Sequence, residues 1–206
     1  MLQWINPAQA ADLTVSLSDN QGNPLPNIVV TLTSPATIIE EAEFSPQHPA
    51  IMDQIDRQFV PHILVVPKGS YVAFPNSDSI QHHVYSFSKA KPFELKLYSG
   101  RPPQPLEFGQ AGEVAMGCNI HDWMLGYVYV VDTPYYGKTN ARGQLTLTVP
   151  PDDYQLILWS PLLDSKDSAV QYSVDVAADS KIDLSLKHAL LPAFEGFEQS
   201  DEFDDY

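Results

Sequence analysis

The stretch Gly112–Val131, GEVAMGCNIHDWMLGYVYVV, constrains the fold more than any other part of the chain. Val114, Met116 and Cys118 fall on one face of an alternating segment, because the side chains of a strand repeat every second residue. Tyr127–Val131 is rich in aromatic and β-branched residues and reads as a second strand. Between them lie three soft-to-borderline donors at even spacing, Cys118, His121 and Met124. Cys118 is the one cysteine in 206 residues, so no disulfide within the chain competes for it. The segment predicts a strand, a tight donor-bearing loop and a return strand.

A thiolate, an imidazole and a thioether on one short loop form a ligand set with a definite preference. Thiolate and thioether favour copper(I), and imidazole holds copper in either oxidation state. Two histidines and a cysteine in a trigonal plane, with a weak axial methionine, make an electron-transfer copper site. The loop offers three of these four donors, so a second histidine has to come from elsewhere. Read alone, the same residues also fit a buried apolar cysteine and an ordinary core methionine.

The second histidine has a candidate one hairpin upstream, in Asn76-Ser-Asp78-Ser-Ile-Gln-His82-His83-Val84-Tyr85. Asn-x-Asp-x-x-x-His resembles the first-histidine segment of cupredoxins. GCNIHDWMLGYVYV resembles their ligand loop, with the short Cys-x2-His-x2-Met spacing of amicyanin rather than the longer loop of plastocyanin. The resemblance covers about Gln58–Asp132. It implies copper held by His82, Cys118, His121 and Met124. Three departures stand against the pattern. His83 follows the first histidine where the small blue proteins carry Asn, a residue that ties the two ligand segments together. Asn119-Ile120 and Asp122 stand where amicyanin has prolines. Tyr85 and Phe87 share a strand face with His83, so His83 becomes the ligand if that aromatic face is interior. The spacing from Asn76 favours His82.

Eighteen prolines, ten tyrosines and abundant Val, Leu and Thr predict an all-β chain. Ile63–Val66, Tyr71–Phe74, His82–Phe87, Phe93–Leu97, Glu113–Cys118 and Tyr127–Val131 are near the number of strands a small Greek-key sandwich needs. On either side the pattern differs. Leu13–Leu17 and Ile28–Thr33 flank a turn at Asp19–Asn23, and from Lys138 a similar pattern restarts with Gln144–Val149, Tyr154–Trp159, Val170–Val176 and Ile182–Leu186. SLSDNQGNPLPNIVVTLTS and KTNARGQLTLTVPPDDYQLILWSP resemble a carboxypeptidase-regulatory-like, prealbumin-type β-sandwich. The expected organisation is a cupredoxin unit at 50–132, inserted in or joined to a second sandwich made of 11–36 and 133–190. Pro35–Pro49 reads as an irregular connection. Residues 191–206 read as an acidic tail. Residues 1–10 resemble a signal-peptide remnant, since Ala8-Gln9-Ala10 has the small-x-small form of a cleavage site.

The formal charge of −15 argues against nucleic acid, whose phosphates need cationic contacts. No apolar run is long enough to span a bilayer as a helix. The resemblance implies a one-electron carrier, and the small-x-small form of Ala8-Gln9-Ala10 an exported or periplasmic one. Its partner would be a redox protein such as a c-type cytochrome or a dehydrogenase. Four protein ligands leave no open coordination position, so no catalysis by this chain alone is expected. The rival expectations are copper(I) binding for delivery and a non-redox β-sandwich interaction module. A zinc hydrolase fits less well, since no general base stands beside the loop.

Overall fold

The computed structural model describes residues 10–37, 45–100, 104–164, 168–186 and 190–191. Among them there is no α-helix, and the chain is all-β. It divides into two compact units, one holding the first two strands and the last five, the other everything between.

The first unit begins with β1 (Ala11–Ser18) and β2 (Val29–Thr33). Alternation dictates its packing: Ala11, Leu13, Val15 and Leu17 are buried while the residues between them are not. After the second unit the chain returns as β13 (Tyr135–Lys138), β14 (Gln144–Val149), β15 (Asp152–Trp159), β16 (Ala169–Val176) and β17 (Ser180–Ser185). These form two sheets, β14-β1-β17 and β13-β2-β15-β16, with one shared apolar core between them. Each core Leu or Val contributes about 1.5–3 kcal/mol by leaving water. Tyr154 fills the same core and donates its hydroxyl to Pro150 O at 2.7 Å.

The second unit comprises β3 (Ala50–Ile51), β4 (Asp53–Ile55), β5 (Gln58–Val60), β6 (Ile63–Pro67), β7 (Ser70–Ala73), β8 (His82–Ser86), β9 (Phe93–Tyr98), β10 (Leu106–Phe108), β11 (Gly112–Cys118) and β12 (His121–Val131). A five-stranded sheet, β6-β12-β11-β8-β9, and a three-stranded one, β10-β7-β3, enclose a core that includes Val84, Phe108, Met116, Cys118, Met124 and Val128. β12 runs parallel to β6 and antiparallel to β11. The short hairpin β4–β5 pairs Ile55 with Gln58. Its two turn residues, Asp56 and Arg57, have φ of 52° and 58°, the left-handed pair that a two-residue hairpin turn of right-handed twist demands.

The structure departs from the sequence expectations in three places. The return strand was expected from Tyr127, but β12 starts at His121, so only Asn119 and Ile120 form the turn. A strand of two or three residues shows no usable period, and β3, β4, β5 and β10 were not anticipated. β13 likewise lies where no strand was assigned, its register set by pairing with β2. Residues 1–9, 38–44 and 192–206 lie outside the described residues. Nearly all of the signal-peptide resemblance, the middle of the irregular connection and all but the first residue of the tail therefore fall there.

Candidate metal centre

Three strands of the five-stranded sheet bring the site together. Cys118 ends β11 and pairs with Val84 of β8, while Gly117 pairs with Tyr85. His82, Val84 and Ser86 occupy the buried face of β8, with His82 0% exposed. His83 lies on the opposite face beside Tyr85, and its Nε2 meets Glu94 Oε1 at 2.9 Å. Across the two-residue turn, His121 is the register partner of Cys118. The pairing then jumps from Cys118–His121 to Gly117–Leu125, so Asp122, Trp123 and Met124 are extra residues on β12. This bulge re-aims side chains next to the site. Met124 is buried in the cluster that also holds Cys118.

Nδ1 of His82 and Nδ1 of His121 each lie 3.6 Å from Cys118 Sγ. The donor atoms of all three residues lie within 4.8 Å of one another. The separation can be tested against a metal: bonds of about 2.0 Å to nitrogen and about 2.3 Å to sulfur, about 120° apart, put the two donors about 3.7 Å from each other. The cluster matches that spacing. The tautomer points the same way. His82 Nε2 lies 2.7 Å from Asp78 Oδ2, and an ionised carboxylate only accepts, so Nε2 carries the hydrogen. Nδ1 of neutral His82 is then a bare lone pair aimed at the sulfur. One sulfur and two imidazole nitrogens, brought together from three adjacent strands, form a donor set that suits a soft cation.

The electrostatics favour a neutral His121 and an ionised Asp78. Burial, reinforced by His82 and Arg57, lowers the His121 pKa from its ordinary value against an opposing pull from Asp78. For Asp78, burial pushes the carboxyl up, but hydrogen bonds from Arg57, His82 and Asp56 outweigh it and leave it below the usual range. Trp123 lies beside His121 with ring centroids 5.4 Å apart and the ring planes tilted by 54°. Ile120 and Leu125, which flank this segment, are exposed. His48 and His62 are surface residues away from the cluster, and His188 lies outside the described residues.

Two residues of the site carry no obvious mark in the sequence. Asp78 sits four positions before His82 and was visible only as part of the Asn76-x-Asp78 pattern. Gln54 is fully buried and donates Nε2 to Pro75 O at 2.9 Å and to Tyr98 Oη at 2.5 Å. Tyr98 in turn donates to Phe74 O, which fixes the segment leading to Asn76.

No protein-family profile matches the chain, and no curated protein matches it. Solved structures do. A Cu-containing nitrite reductase from Thermus scotoductus SA-01 shares 22% identity at a TM-score of 0.40, over 47% of this chain and 25% of that one. An oxidised mutant of amicyanin shares 19% at 0.38, over 49% of this chain and 99% of that one. A purple cupredoxin from Nitrosopumilus maritimus shares 23% at 0.35, over 40% and 99%. The match thus spans a quarter of the nitrite reductase, and all three likenesses are remote.

Proposed function

We propose that this chain is a copper-binding cupredoxin that carries single electrons between redox partners, with His82, Cys118, His121 and Met124 as its ligands. One observation carries the reading: two imidazole Nδ1 atoms, each 3.6 Å from the sulfur of a buried cysteine, on three hydrogen-bonded strands. Bound copper would supply the one-electron couple. Everything else is the protein's part. Cys118 is held by β11 and His82 by β8, so the donors have little freedom to rearrange, which is what a fast carrier requires. Apolar neighbours keep water from the sulfur. His121, at the start of β12 beside Trp123, is half-buried and gives the outward route. The exposed Ile120 and Leu125 next to it suit a transient contact with a c-type cytochrome or a dehydrogenase. A periplasmic or otherwise exported setting goes with this reading. The carboxypeptidase-regulatory-like character of β1, β2 and β13–β17 rests on the sequence resemblance.

The test is a copper titration with optical and EPR spectra of the wild type, Cys118→Ser and His82→Ala. One equivalent of copper and an intense visible band that Cys118→Ser abolishes are expected. Uptake of copper(I) alone, with no visible band on oxidation, would instead indicate delivery. No stoichiometric uptake would sink the reading.

A further inference from the structure

The β4–β5 hairpin and the first histidine are joined by one side chain. Asp78 accepts the backbone N–H of Asp56 on Oδ1 at 2.6 Å and that of Arg57 on Oδ2 at 2.9 Å. The same Oδ2 faces His82 Nε2 at 2.7 Å. The Asp78 side chain is 11% exposed and that of His82 0%. Its own backbone is set by Asn76, whose Oδ1 accepts the Asp78 N–H at 3.0 Å and whose Nδ2 reaches Ile80 O and Tyr98 O. The left-handed conformation at Asp56 and Arg57 is strained for residues that carry a Cβ. Two charge-assisted bonds to one carboxylate offset that cost, so the turn and the carboxylate hold each other in place.

We propose that Asp78 is the positioning residue of the site, and that the hairpin tip is its anchor. The carboxylate locks the Nε2–H tautomer of His82 and turns Nδ1 toward Cys118. It also makes the imidazole a more basic donor, which favours the more highly charged metal ion. This rests on the copper reading above. Asp78 touches no metal in this arrangement; it acts through His82.

The experiment compares wild type, Asp78→Ala and Asp78→Asn, with folding checked by far-UV circular dichroism. Asp78→Asn is the variant that keeps the fold if Asp78→Ala does not, because its amide oxygen can still accept from His82. In the metal-free proteins, ¹⁵N NMR of the histidine side chains should show a single Nε2–H tautomer for His82 in the wild type and a mixture in Asp78→Ala. Copper(II) affinity should fall about 10–100-fold in Asp78→Ala and less in Asp78→Asn. If copper(I) affinity falls tenfold less than copper(II) affinity, the reduction potential rises by about 59 mV. A wild type that loads copper beside an Asp78→Ala protein with the same tautomer and affinity would overturn this proposal and leave the copper reading standing. A wild type that takes up no copper would overturn both.

Discussion

Replacing Gly126 by Ala tests how tightly the hairpin is held against the ligand strand. Gly126 is buried on β12, and a Cβ built there would lie 2.7 Å from Phe59 Cβ and 2.9 Å from both Cγ and Cδ2. Carbon atoms prefer about 3.5–4.0 Å, so Phe59 would have to retreat by the better part of an ångström. The atom met first is a Cβ, so rotating the ring gives no relief and β5 itself must move. Phe59 is 2% exposed and belongs to the core cluster that holds Val66, Val84 and Cys118. Overpacking of this kind costs about 1–3 kcal/mol. Losing a glycine from the unfolded chain returns at most about 1 kcal/mol. From the middle of both ranges the expected net loss is about 1–2 kcal/mol, with Tm falling about 4–8 °C per kcal/mol for a domain of this size. Gly117→Ala is the control. Its Cβ would meet Tyr85 Oη at 3.1 Å and Cζ at 3.2 Å, the far end of a half-buried side chain that can swing aside. Its cost should stay within about 0.5 kcal/mol. Urea denaturation of the metal-free proteins, followed by far-UV circular dichroism, measures both. Equal stability of Gly126→Ala and wild type, or equal losses in the two variants, would refute the reasoning.

Two further outcomes concern pH. His121 is lowered from its ordinary value, so its neutral form is favoured; its contribution is present above about pH 6.5 and lost as pH falls through the folded value. An NMR titration of His121 in the metal-free protein should have its midpoint below that of a free histidine, and a midpoint at or above it would count against the geometry. In the first unit, burial, with Tyr135 and Asp152, pushes Tyr154 up to about 12. That share of stability is intact below about pH 10 and disappears as pH rises toward 12, so Tyr154→Phe should flatten the alkaline limb of the stability curve. The same substitution removes one hydrogen bond, at about 0.5–1.5 kcal/mol near neutrality, and no loss at all would show that the bond to Pro150 O adds nothing.

The strands that alternate over five or more residues were legible because burial has a period of two: β1, β11 and β15 read directly from their apolar positions. Alternation cannot tell which face is interior. For β8 that is decided by pairing with β11, which turns Val84 and Ser86 inward with His82 and leaves Phe87 87% exposed. The start of β12 was hidden because Cys118 and His121 pair across a two-residue turn of Asn-Ile, without the glycine that marks such turns. The β4–β5 turn was hidden for a related reason. Arg57 has no intrinsic taste for left-handed backbone, no glycine marks the turn, and the carboxylate that holds it lies more than twenty residues away. Met52 and Gln54, opaque in the sequence, prove to be a core residue and the buried bracket of Tyr98.

The pairing of β2 with β13 has a consequence for how such a chain can be taken apart. Leu32 faces Tyr135 in that ladder, and Thr133 Oγ1 donates to Leu32 O. The two strands are the arms of a single antiparallel ribbon, and its connecting loop is the entire second unit. Loop-closure entropy grows only with the logarithm of loop length, so the ribbon tolerates a detour of this size at small thermodynamic expense. A tight turn could stand there instead, and the host sheet would keep every one of its own ladders. The donor-bearing unit is in this sense cargo, spliced into the bend of a hairpin that could close without it.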